Sequence, residues 1–87
     1  MKYLTIDLGN LDSSTPVRVD ITGTEANVQL LDATNYARYM RSEHFHYVGG
    51  HYKQSPAMLR TTHPAHWYVV ADLGGGRGRL GITATVC

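Results

Sequence analysis

Cysteine is nearly missing from this chain: Cys87, the last of 87 residues, is the only one, so no intrachain disulfide can form. A small secreted domain ordinarily depends on such staples, and the protein is therefore expected to be cytoplasmic. An excess of charge of either sign is missing too. Eight Lys and Arg stand against seven Asp and Glu, a formal net charge of +1. That balance argues against a nucleic-acid backbone or an anionic membrane as the main partner. No apolar run approaches the roughly 20 residues that span a bilayer. Asp7 falls where a secretory signal would need its apolar core. The length fits one domain, residues 1–87, able to bury only about 60–65% of its unfolded surface.

Catalytic motifs are equally scarce. No serine sits in a G-x-S-x-G elbow, and Cys87 is poorly placed at a chain end. Asp7, Asp12, Asp20, Asp32 and Asp72 are dispersed, with no acid–base pair evident from their spacing. The chain is not expected to be an enzyme.

Period-two alternation is abundant. Leu4, Ile6 and Leu8 oppose Tyr3, Thr5 and Asp7, and Val17, Val19 and Ile21 oppose Arg18, Asp20 and Thr22. Both runs fit strands with one wet face. Gly9 to Pro16 reads as a turn-rich connector between them. Ala26–Leu31 makes a third strand. Asp32 can then cap a helix over 33–41, in which Tyr36, Tyr39 and Met40 share one stripe against the sheet. Phe45–Val48 reads as a brief strand ended by Gly49-Gly50 and continued past a bulge by His51–Lys53. Ala57–Thr61, His66–Leu73 and Arg79–Val86 complete the set. The expected fold is all-β: a compact single-domain β-sandwich of about seven short strands with one short helical segment.

Three constellations carry candidate chemistry. Gly74-Gly75-Gly76-Arg77-Gly78 resembles a phosphate-cradling loop, but it leads into a strand rather than a helix and lacks the Lys-Ser/Thr of a P-loop. It reads first as a hairpin turn, with anion binding by Arg77 and Arg79 as the minority reading. The pair His44 and His46, with His51, offers a weak alternative metal site and with it an enzymatic alternative, although no acidic residue follows His46 before Asp72. No metal or other cofactor is expected. Aromatic residues concentrate in the second half beside Arg38, Arg41, Lys53 and Arg60. Trp67, alternating with Val69, Ala71 and Leu73, is expected in the core, with Tyr68, Val70 and Asp72 facing out or toward a covering segment.

Several blocks taken in order match a known pattern: Ala26–Asp32, Asn35-Tyr36, Tyr47-Val48-Gly49-Gly50-His51, Ser55-Pro56, and His66-Trp67-Tyr68 through Gly75. Together they resemble a small bacterial family catalogued as domain of unknown function 1883. The resemblance implies a β-sandwich with one sheet bent by bulges, in cytosolic proteins of which some carry the module beside a TIR-type domain. It implies no activity, cofactor or catalytic residue. The leading functional expectation is a non-enzymatic ligand-binding or protein-interaction module, taking a small anionic or sugar-like ligand. Its expected site lies where the Gly49–His51 and Gly74–Gly78 loops meet, with His51, Tyr52, His66, Arg77 and Arg79 as contacts. Self-association, or docking to an effector domain, is the expected partner interaction. The alternative is a structural or oligomerisation domain without a small ligand.

Overall fold

Alternation of apolar and polar residues along each strand gives two inner faces that close on each other. Val17 and Val19, Val28 and Leu30, Ala57 and Leu59, and Trp67, Val69 and Ala71 meet in a single buried cluster. A computed structural model of the chain describes residues 3–23, 25–73 and 78–87. The order is β1 (Tyr3–Leu11), β2 (Pro16–Gly23), β3 (Ala26–Asp32), α1 (Ala33–Met40), β4 (Val48–Tyr52), β5 (Ala57–Arg60), β6 (Ala65–Asp72) and β7 (Leu80–Val86). The strands form two antiparallel sheets, β1-β6-β3-β4 and β5-β2-β7. The expected all-β sandwich is what the chain forms. Its radius of gyration, 12.0 Å, equals that of a compact chain of this length, about 12 Å.

The helix lies on the outer face of the four-stranded sheet. Leu31 and Val70 are fully buried, yet each directly follows a residue of the inner cluster and so points the other way. They are covered by α1, which packs on β3 and β6. Tyr36 stacks on Tyr68 with ring centroids 4.1 Å apart, and Tyr39 meets Tyr3 and Phe45 edge-on. Asp32 caps the helix as expected, its carboxylate accepting from the Asn35 backbone N–H at 2.8 Å.

Three local expectations are corrected. First, β1 continues to Leu11 rather than stopping before Gly9. The register moves from Asp7 opposite Tyr68 to Gly9 opposite Trp67, leaving Leu8 as the extra residue of a bulge, with Gly9 at φ +76°. Beyond it the inward positions change from even to odd, so simple alternation no longer reads as a strand. Second, Gly49-Gly50 does not end a strand. Both lie inside β4, whose pairing with β3 runs unbroken from Leu30–Val48 to Ala26–Tyr52. Gly49 has φ +135°, and a Cβ there would fall 2.1 Å from the Val28 carbonyl oxygen. The glycine therefore permits close approach of two backbones. Third, β6 and β7 do not form a hairpin, because they belong to different sheets. Gly74 to Arg77, between the two strands, lie outside the described residues.

Gly49→Ala is expected to destabilise the fold by about 2–4 kcal/mol, through strain plus the clash with Val28. Gly50→Ala, where an added methyl meets nothing within 4 Å, should change stability by less than about 1 kcal/mol. Urea denaturation of the two variants beside the parent measures the contrast.

Candidate functional site

Register decides where the expected contact residues lie. Asn27 of β3 stands between His51 of β4 and Asp72 of β6. The His51 Nδ1 donates to Asn27 Oδ1 at 2.9 Å, and Asn27 Nδ2 donates to Asp72 Oδ1 at 3.0 Å. His51 thus joins a polar ladder across three strands at the end of β6 that leads toward the glycine loop. His66 is six residues back along β6, about 20 Å away at about 3.3 Å per residue. Tyr52 turns to the other face and packs against the core. Arg79 is exposed just before β7 in the second sheet, and Arg77 lies outside the described residues. His51, Tyr52 and His66 do not share one pocket.

The histidine trio is separated in the same way. His44 and His46 touch edge-on, centroids 5.2 Å apart, on the irregular segment before β4. His51 is held by Asn27 and by Glu25, whose Oε1 is 3.4 Å from Nε2. Among the described residues, no three His, Cys, Asp or Glu side chains are grouped so as to hold a metal ion.

What does recur is the histidine–carboxylate pair. His51 faces Glu25, His66 Nε2 lies 2.6 Å from Asp7 Oδ1, and His63 Nε2 lies 2.9 Å from Asp32 Oδ2. The Asp7 carboxyl is held below its ordinary range by the Gly9 backbone N–H first and the hydrogen bond to His66 next; desolvation opposes them, and the charge on His66 adds a further lowering effect. The bulge in β1 supplies that N–H. For Asp32, burial acts to raise the pKa. The Asn35 backbone N–H, the Asn35 side chain and His63 outweigh it, and the carboxyl is held low.

Asp32 and His63 also border a pocket of about 210 Å³, lined in addition by Leu30, Asn35, Val48, Thr62 and Trp67, with His46 and Tyr47 at one side. Local bonds assemble it from four parts of the chain. The Asn35 side-chain oxygen accepts from the His46 backbone N–H at 2.8 Å, which fixes the segment entering β4. The Trp67 indole N–H donates to the His63 carbonyl at 3.1 Å, which fixes the loop entering β6. His63 Nε2 lies 2.9 Å from Asp32 Oδ2, and its Nδ1 lies 3.0 Å from the Thr62 hydroxyl, which donates to it when the ring is neutral. Apolar walls with a few convergent polar groups are what a small-molecule site needs. By local rules Asp32 reads as a helix cap and His63 as part of a turn. Their meeting depends on the β5–β6 loop lying beside the end of β3, which spacing along the chain does not reveal.

Asp32→Ala should cost about 1–2 kcal/mol at neutral pH, the value of a lost cap. Because the folded-state pKa of Asp32 lies below its ordinary value of 3.8, its contribution is fully present above about pH 4 and is lost as pH falls through the folded value. Denaturation midpoints of the variant and the parent should therefore converge at acid pH.

No curated protein and no solved structure matches the chain. A family match does exist, and it runs from residue 1 to residue 86. With only Cys87 beyond it, the chain belongs to the family described as domain of unknown function DUF1883.

Proposed function

We propose that this protein is a non-enzymatic binding module whose ligand is a small, neutral, sugar-like molecule held in the pocket beside Asp32 and His63. The observation that carries the reading is the convergence there of hydrogen-bonding side chains over an apolar floor. Asp32, Asn35, Thr62 and His63 offer both donors and acceptors, while Leu30, Val48 and Trp67 form the walls. Tyr47, half-exposed at 50%, supplies an aromatic face at the edge. Hydroxyl groups that donate as well as accept suit such a rim, and an aromatic ring suits the apolar face of a sugar. The ionised Asp32 disfavours the anionic alternative, since an anion would sit against its charge unless the neighbouring imidazoles were protonated.

A ligand panel followed by NMR chemical-shift mapping tests the reading. A neutral sugar or polyol should move signals of Asn35, Thr62 and Trp67, with an acidic analogue of similar size binding more weakly at neutral pH. Tyr47→Ala should weaken binding about tenfold, roughly 1.4 kcal/mol, while leaving stability within about 0.5 kcal/mol. Absence of any shift in those residues across the panel would refute the assignment.

A second reading rests on the order Thr62–His63–Asp32. A hydroxyl donating to an imidazole that is itself oriented by a carboxylate is the arrangement of an activated nucleophile. An activated ester separates the two. Stoichiometric acylation lost in Thr62→Val would favour group transfer, and no acylation would favour binding alone.

A further inference from the structure

The polar pocket lies at the start of α1, and a second cavity, of about 400 Å³, lies at its other end. Its lining is of a different chemical kind: Tyr3, Tyr39 and Phe45, with Met40, Ser42 and Glu43. Tyr39 stands perpendicular to both flanking rings, at centroid distances of 5.5 Å from Tyr3 and 5.2 Å from Phe45. A central ring perpendicular to two flanking ones, beside a carboxylate, forms a box with a negative electrostatic character, because each ring carries negative charge density on its face. We propose that this box is a binding site for a small quaternary ammonium ion of the choline type.

Three observations converge on a cation. The ring faces attract positive charge, more strongly where water is excluded, and a methylated ammonium loses less on leaving water than a bare one. Glu43 adds a full negative charge at the rim. Its only charged partner among the described residues is Arg41, at 3.3 Å in a pair whose side chains are both more than half exposed, and such pairs contribute little. The box also lies at the C-terminal end of α1, where the helix dipole favours positive charge. The cage is prearranged from below. The Tyr39 hydroxyl is buried, and burial first, with the nearby Asp72 carboxylate and the Tyr3 and Tyr36 phenols, keeps its pKa raised and the phenol neutral. Tyr3 is anchored in turn by a contact from its hydroxyl to the Met40 sulfur. Arg38, in the last turn of α1, and Arg41, paired with Glu43, are the cations nearest in sequence.

The test is a titration of the whole chain with choline, tetramethylammonium and 3,3-dimethylbutanol, the uncharged shape mimic of choline, followed by NMR. Both cations should shift the Tyr3, Tyr39 and Phe45 ring signals, and the alcohol should bind about three- to tenfold more weakly. Glu43→Gln, an exposed change that leaves the fold intact, should weaken choline about threefold and leave the alcohol unaffected. Tyr3→Leu should weaken choline about tenfold. Equal binding of choline and the alcohol, or unchanged affinity in both variants, would overturn the proposal, as would choline shifts confined to other residues. Phosphatidylcholine vesicles distinguish the source of the group: retention on them assigns a lipid headgroup, and choline binding without retention assigns the free ion. Failure here leaves the sugar-like ligand at Asp32 unaffected, because the two sites share no lining residue.

Discussion

Val69 and Val70 are neighbours on β6, and both are fully buried, as are Leu30 and Leu31 on β3. Neighbours in a strand point to opposite faces, so the middle of the four-stranded sheet is dry on both sides. One side is closed by β5-β2-β7, and the other by α1 with its tyrosines. An eight-residue helix is far too short to be stable alone, so α1 exists because the sheet must be covered. Burying one Leu or Val is worth about 1.5–3 kcal/mol, against about 1 kcal/mol for a cap. Packing therefore holds the helix in place, and Asp32 settles where it starts.

The features legible in the sequence were those governed by local rules. Strand alternation in 17–22 and 26–31, the Asp32 cap and the inward face of Trp67, Val69 and Ala71 all follow from nearest neighbours, and the structure has them. What local rules missed were positions where two chains meet. Leu8 inverts the alternation of β1 because Gly9 must pair with Trp67 on another strand. Gly49 looks like a strand breaker until the Val28 carbonyl is seen pressed against it. The glycine-rich connection reads as a hairpin because spacing carries no information about which sheet β7 will join. The site followed the same pattern. His51 reads from the sequence as a ligand contact beside Tyr52 and His66; its bonding to Asn27, and that of Asn27 to Asp72, follows from cross-strand register alone. His63 reads as a turn residue for the same reason.

The two proposed sites differ in chemistry because they sit at opposite ends of one helix. The N-terminal end presents backbone N–H groups, which attract the Asp32 carboxylate; that carboxylate then draws in His63 and with it the β5–β6 loop. Hydrogen bonding follows as the natural chemistry of that end. At the C-terminal end the carbonyls of Ala37, Arg38 and Tyr39 accept from the backbone N–H groups of Arg41, Ser42 and Glu43. That tight turn folds Phe45 back onto Tyr39, so aromatic surface rather than polar side chains collects there.

This shared scaffold couples the sites in one respect and separates them in another. Any change that empties the space under α1, where Leu31 and Val70 pack, loosens both ends together, because the cap and Tyr39 ride on the same eight residues. A loss of function from such a change would therefore say nothing about which site matters. Tyr47 and Glu43 are different: each is more than a third exposed, lies outside α1 and borders a single one of the two cavities. Substituting them alters ring surface or charge while leaving the covered sheet intact. Discrimination between a polar ligand and a cationic one consequently rests on these rim residues, whereas the buried residues report only on whether the helix stays in place.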